Sequence, residues 1–259
     1  MVKGLYTAYT GMLNEQNRMD IMTNNLANAS TVGYKKEGST SQSFDDVLTV
    51  KIKDQSVGMR NVQKIGIKNP GVKIGENYTD YSQGSFRITG NTYDLALSGE
   101  GFFAIEFTNK AGETDTKYTR AGQFTLNKDG YLVTEEGDYV LDTQNRRIRL
   151  NTLIDSSITD DGTIYQNGQA MAKIQVTDFA DYDYLEKYGE TYYQPIEGAQ
   201  TIASNAQVKS GYLEMANVQI VSEMVNLISI TRAYESNQKV VQTIDDTLDV
   251  AVNQIGRVQ

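Results

Sequence analysis

Hydrophobic positions along this chain change their spacing twice, from seven to two and back to seven. From about Tyr212 to Ile255 no glycine or proline interrupts the sequence. Ile220, Leu227, Tyr234, Val241, Leu248 and Ile255 form one row seven apart. Ile230, Ile244, Ala251 and Val258 form a second, in which Glu223 and Asn237 occupy two slots. Paired rows at this spacing predict one long helix packed along another helix rather than onto a broad core. At 1.5 Å of rise per residue it would extend roughly 65 Å, so it requires a partner. The first thirty residues supply a candidate. Leu5, Met12, Met19 and Leu26 repeat every seven, and Ala8, Met22 and Ala29 fill the alternate row with Glu15 in one slot. Ser30, Thr31 and Gly33 then carry turn and C-cap chemistry, which ends that helix near Asn28 to Gly33. Taken alone it is equally an ordinary amphipathic core helix. Two such helices at opposite ends of a β-patterned chain favour a shared terminal bundle, and the methionines suit adaptable packing.

Between the helices the pattern is different. Residues 34 to about 80 begin with Lys35-Lys36-Glu37 and a polar run to Ser43, and Phe44 to Ile52 suits a short helix or strand. Gly58, Gly66, Pro70, Gly71 and Gly75 then fall too close together for a long element, so 53–77 reads as extended and partly irregular. From Tyr78 the period becomes two, as in Leu95 and Leu97 or Phe103, Ile105 and Phe107. Asp129-Gly130, Asp161-Gly162 and Asn167-Gly168 mark hairpin turns. Such short strands predict an antiparallel β domain, a sandwich or small barrel, closed by the tyrosine-rich run from Tyr182 to Tyr193.

Composition narrows the function. The chain has no cysteine and no histidine, which removes disulfides, thiolate or imidazole metal sites, Cys or His nucleophiles and the commonest general base. A net charge of −9 across 259 residues argues against binding nucleic acid through phosphates. No apolar run approaches a membrane span. The amino terminus lacks the pattern of a signal peptide, so the expectation is either a cytoplasmic protein or export without a cleaved signal.

Local motifs point to little chemistry. Gly99-Glu100-Gly101-Phe102-Phe103-Ala104 fits G-x-G-x-x-A, yet Phe102 to Phe107 continues as a strand where a dinucleotide site needs a helix. Asp160-Asp161-Gly162 lacks the alternating ligands and closing glutamate of a calcium loop. Nothing selects a pair among the many carboxylates for glycosidase work, and the Asn-x-Ser/Thr sequences at Asn28 and Asn77 carry no expectation of glycosylation. Asn24, Asn25 and Asn28 stand out, because asparagine is a poor residue for a helix. Fraying toward the C-cap accounts for Asn28 alone; for the set, side-chain hydrogen bonds to a neighbouring chain are the expectation. Glu235 and Lys239 form an i,i+4 pair on a solvated face.

Several segments resemble one family. Asn24-Asn25-Leu26-Ala27-Asn28-Ala29-Ser30-Thr31-Val32-Gly33-Tyr34-Lys35 is similar to the amino-terminal signature of the bacterial flagellar rod and hook proteins. Asp94 to Phe103, Tyr118 to Phe124 and Asp129 to Leu132 resemble its central motifs. Gly211-Tyr212-Leu213-Glu214, Asn217-Val218, Glu223-Met224-Val225 and Arg232-Ala233-Tyr234-Glu235 resemble its carboxyl end. Gln219 stands where the family often has an acidic residue. The resemblance implies a non-enzymatic axial protein without cofactor, catalytic or metal residues, located in the flagellar basal body. It would leave the cytoplasm unfolded through the flagellar export apparatus, without a cleaved signal and without inserting in the membrane. It would partner itself and other axial proteins, rod and hook subunits among them, in a helical tube that transmits torque and lines the export channel.

The expected fold is α+β. Residues 1–34 and 212–259 would form a discontinuous, coiled-coil-like helical assembly domain, 35–77 an extended connecting segment and 78–211 the central β domain. The β domain, about 130 residues, is an ordinary single-domain size; under the resemblance it favours a rod over a hook subunit, and the segment 44–77, which resembles an inserted stretch of the family, favours the distal over a proximal rod type. Expected interface residues are Leu5, Met12, Met19, Asn24, Asn25, Leu26 and Asn28 on the first helix. On the second they are Leu227, Ile230, Arg232, Tyr234, Glu235, Val241, Ile244 and Leu248. Two readings from other classes stay open at this point: a secreted carbohydrate-active β domain with helical oligomerisation ends, and a cytoplasmic coiled-coil scaffold.

Overall fold

The computed structural model describes residues 2–52, 62–109 and 112–255. They form two compact units. One gathers Met1–Leu26, Glu37–Asp80 and Ile220–Gln259; the other gathers Ala27–Lys36 and Tyr81–Gln219. The fold is α+β, with helices at both ends and a central antiparallel β region.

In the helical unit, α1 runs Val2–Ala27 and α2 runs Ile220–Val250, continued by a π-helical turn at Ala251–Ile255. Four strands accompany them: β1 Glu37–Ser43, β2 Val47–Ile52, β3 Val62–Lys68 and β4 Val72–Thr79. Most described positions of the period-seven rows on α2 are sheltered, Ile220 at 43% exposure being the exception. Glu223 and Ile230 are buried, and Leu227, Tyr234, Asn237, Val241, Ile244 and Leu248 are half-buried. On α1, a Cβ added to Gly4 would lie 3.5 Å from Ile244 Cδ1, and one added to Gly11 would lie 3.0 Å from Asn237 Nδ2. Seven residues forward on one helix match seven back on the other, so the two run antiparallel. A glycine inside a helix costs about 1 kcal/mol relative to alanine; here the missing side chains admit Ile244 and Asn237.

Three expectations change. The long helix begins at Ile220 rather than Tyr212, because Tyr212–Glu214 pairs with Phe86–Ile88 as an antiparallel strand. The segment 35–77 is paired rather than a connection: β1 lies against β4 from Glu37↔Thr79 to Ser43↔Val72, and β2 against β3 from Val47↔Lys68 to Ile52↔Val62. Two of its glycines mark irregularities inside the ladders. Gly66, at φ +148, sits where the β2–β3 register shifts, and a Cβ on Gly75 would meet Thr40 at the β1 bulge. The irregular stretch expected at 53–61 lies outside the described residues. Finally, the half-buried Leu5, Met12, Met19 and Leu26 and the buried Ala8 of the predicted rows share shelter on α1 with buried Asn14, Ile21 and Asn25, which lie outside those rows. The strands explain this second face: Ser41 Oγ donates to Asn14 Oδ1 at 3.0 Å, and Thr7 Oγ1 donates to the Pro70 carbonyl at 3.1 Å.

The β unit continues with β5 Phe86–Ile88, β6 Leu95–Ser98, β7 Phe102–Thr108, β8 Thr114–Thr119, β9 Phe124–Leu126, β10 Leu132–Thr134 and β11 Tyr139–Val140. Next come β12 Ser156–Ile158, β13 Thr163–Gln166, β14 Gln169–Lys173 and β15 Val176–Phe179. It ends with β16 Leu185–Tyr188, β17 Tyr192–Pro195, β18 Thr201–Ala203, β19 Gln207–Ser210 and β20 Tyr212–Glu214. The main sheet follows the order β16-β17-β8-β7-β11-β10-β9, with β15 joining β7 and β18. Side-chain alternation along β7 sends Phe103 to one core, with Leu97, Phe124 and Leu132, and Phe102 and Ala104 to another, with Phe179 and Tyr193. The sheet is therefore buried on both faces at β7. The three predicted hairpin turns are present: Gly130, Gly162 and Gly168 have positive φ, as does Asn167 at +52.

Candidate functional site

A buried ionic cluster in the β unit joins its short segment Ala27–Lys36 to two distant parts of Tyr81–Gln219. Strand β20 carries Glu214, fully buried, into contact with Lys35 and Arg120, themselves 1% and 3% exposed. Glu214 Oε1 accepts from Lys35 Nζ at 2.7 Å and from the Gly84 N–H at 2.9 Å, while Oε2 accepts from Arg120 Nη1 at 3.3 Å. Lys35 Nζ also donates to the Ser82 carbonyl at 2.7 Å. The backbone closes the same knot: Gly33 N–H donates to the Glu214 carbonyl, and Lys36 N–H donates to Asn217 Oδ1. Gly33 is at φ +70, and a Cβ there would stand 2.3 Å from the Ala121 nitrogen, so no other residue fits. Removing one partner of such a buried ion cluster strands the other charges and costs about 3–5 kcal/mol. Lys35, Arg120 and Glu214 come from three of the sequence segments that carry the family resemblance. The spacing of those segments gives no sign that they meet.

The asparagines are largely satisfied within the chain. Asn25 is fully buried; its Oδ1 accepts from the Glu37 N–H at 2.9 Å and its Nδ2 donates to the Glu37 carbonyl at 2.7 Å. This two-point clamp fixes the reversal from α1 into β1 and replaces the expected bond to a neighbouring chain. Asn28 Nδ2 donates to Glu190 Oε2 at 2.7 Å, and Asn28 Oδ1 accepts from Thr31. Asn24 is half-buried.

The second distinctive surface lies on α2. Val221, Met224, Val225 and Ile228 repeat at three and four residues and are 76%, 47%, 60% and 53% exposed. They share one helix face and leave an apolar stripe in water. Arg232 and Glu235 continue outward along the helix, and Tyr234 is half-buried. Glu235 and Lys239 make no ion pair among the described residues, contrary to the i,i+4 expectation. The helix thus carries apolar residues on two sides, one turned to α1 and one exposed. Among the described residues no helix is long and apolar enough to cross a membrane.

Other clusters in the β unit are structural. Gly99 and Gly101, at φ +120 and +137, turn β6 toward β7, so the G-x-G-x-x-A sequence opens a strand. Tyr192 Oη lies 2.7 Å from Glu136 Oε2 and 3.0 Å from Asp138 Oδ2. Burial raises the Tyr192 phenol far above its ordinary value and also pushes the Asp138 carboxyl up, the latter against the lowering effect of the Tyr192 hydrogen bond. The phenol proton is thus held between two acids rather than aimed across a cleft. The described residues contain no group of three or more His, Cys, Asp or Glu placed to hold a metal ion.

Comparison with known proteins agrees with this distribution. Residues 5–35 match the family model described as flagella basal body rod protein, 96–168 the flagellar hook protein FlgE/F/G D1 domain, and 209–255 the flagellar basal body rod FlgEFG protein C-terminal region. The chain is 34% identical to the flagellar basal-body rod protein FlgG of Bacillus subtilis (strain 168), over 98% of this chain and 99% of that one. It is 32% identical to the flagellar basal-body rod protein FlgF of Caulobacter vibrioides, over the whole of both. It is 30% identical to the flagellar hook-basal body complex protein FlhO of Bacillus subtilis, again over both whole chains. The chain belongs to the flagellar basal-body rod and hook protein family, a family of structural proteins rather than enzymes.

Proposed function

We propose that this chain is a subunit of the flagellar basal-body rod, polymerising with copies of itself and with other axial proteins into a helical tube that transmits torque. The observation that carries this reading is the apolar stripe of Val221, Met224, Val225 and Ile228. Such a patch on a chain of this kind marks a contact surface, and a helical array of identical subunits buries it by repeating one head-to-tail contact. The inward seam on α2, facing α1, supports a coiled-coil-like pairing of the two termini, and Asn237 opposite Gly11 suits a polar register marker. Cores on both faces of β7 favour a layered sandwich over a barrel.

The full-length match to rod proteins named FlgG and FlgF favours a rod subunit over a hook subunit, and we prefer the distal rod. On this reading the chain leaves through the flagellar export apparatus without a cleaved signal, and its terminal helices line the channel. Deleting the gene is expected to abolish flagella while growth stays normal, and the protein is expected in the rod of purified hook–basal bodies. Motile, flagellated deletion mutants would contradict the proposal.

A further inference from the structure

Among the described residues, Leu153 is the most exposed of the large apolar side chains, at 93%. It does not sit on a slack loop. Buried Gln166 holds the turn from both sides: its Oε1 accepts from the Asn151 N–H at 3.0 Å, and its Nε2 lies 2.9 Å from the Asn151 carbonyl, 3.3 Å from the Ile154 carbonyl and 3.0 Å from Ser156 Oγ. The Leu153 N–H is in turn bound by Asn151 Oδ1 at 3.0 Å. A buried amide committed to one turn, with leucine at its tip, is a preorganised knob, since little further ordering is needed when it is buried.

The helical unit carries a hollow of suitable chemistry. Tyr6, Val47, Thr49, Lys68 and Pro70 line a mostly apolar cavity of about 260 Å³. Its rim is also fixed, by the Thr7 bond to the Pro70 carbonyl and by Asn69 Nδ2 donating to the Phe44 carbonyl at 2.8 Å. Lys68 at the rim is opposite in charge to Asp155, two residues beyond Leu153. Tyr6, at the edge of the hollow, is followed at three and seven residues by exposed Tyr9 and Leu13, so the apolar surface extends from the hollow along one face of α1. A knob on one surface and its hollow on another make a heterologous contact, which propagates along a filament instead of closing a dimer.

We propose that Leu153 of one subunit inserts into the Tyr6–Val47–Pro70 hollow of a second copy of this chain. The inference rests on the rod reading above. Because the chain has no cysteine, the introduced thiols are the only ones it carries, and a cross-link between two copies of it must join them. Cells making both Leu153→Cys and Val47→Cys chains, with hook–basal bodies isolated and mildly oxidised, should yield cross-linked pairs that cells making either variant alone do not. Leu153→Asp should fold normally, since the side chain touches little, yet require at least about tenfold more chain for incorporation into the rod, the loss expected for one buried leucine. Basal bodies that contain both cysteine variants without cross-linking them, or that cross-link Leu153→Cys to itself, would overturn the knob while leaving the rod reading intact. Absence of the unmodified chain from basal bodies would overturn the rod reading, and the knob with it.

Discussion

In the β unit, Leu95, Leu97 and Phe102 to Ile105 are wholly buried, and even the charges of Lys35, Arg120 and Glu214 are withdrawn from water and paired. Along α2, by contrast, only Glu223 and Ile230 are buried, while valines and a methionine stand exposed. The β unit has the features of a domain that completes its own core: apolar residues on both faces of β7 and a buried knot of paired charges. The helical unit is apolar where a finished domain is polar. On the rod reading proposed above, other chains complete its burial, so one sequence would hold a region built for stability and a region built for assembly.

The comparison can be broken at either end. The largest effect is expected at the knot: Glu214→Ala should cost the β unit about 3–5 kcal/mol, read as a lower midpoint in denaturant or a lower Tm. A near-neutral result would mean that the knot adds nothing to the β unit. Next, Val241→Asp or Leu248→Asp should block incorporation into the rod and leave β-unit melting unchanged. If melting and assembly fall together, the division between the regions is wrong. Asn25→Ala leaves the Glu37 N–H and carbonyl without their side-chain partner and should cost the helical unit roughly 1–3 kcal/mol, measured as faster hydrogen exchange in β1 with β7 unaffected.

The smallest effect concerns pH. Burial raises the folded-state pKa of Asp138 above its unfolded value, so the folded chain holds that proton more tightly. Stability from this group is fullest below the unfolded value, falls as pH rises through the window up to the raised value, and is flat above it. Asp138→Asn should therefore raise Tm slightly at neutral pH, and the advantage should vanish in acid. An equal advantage at both pH values would remove Asp138 as its source.

Much of this division was legible from the sequence. Leu227, Ile230, Tyr234, Val241, Ile244 and Leu248, in the seven-residue rows of α2, are sheltered, because that repeat keeps them on one side of the helix; the exposed stripe from Val221 to Ile228 lies at three- and four-residue spacing outside those rows. The Asp-Gly and Asn-Gly turns were readable because positive φ restricts the residues that can occupy them. Other features were hidden. Tyr212–Glu214 has no glycine or proline to stop a helix, and only pairing with Phe86–Ile88 makes it a strand. The glycines of 66–75 suggested irregularity, whereas Gly66 and Gly75 serve bulges within ladders. Lys35, Arg120 and Glu214 are each an ordinary charge in the sequence; their meeting is a long-range fact of the fold. Asn25 was conspicuous, but its partner is the Glu37 backbone twelve residues on.

The claim that the helical unit is completed by assembly is tested most directly by hydrogen exchange across residues 220–250, measured in the isolated chain and in purified rods. The account predicts that α2 amides, fast in the isolated chain, slow by at least about a hundredfold in the rod, while β7 and β8 amides are slow in both. Equal, strong protection of α2 in the isolated chain would contradict it.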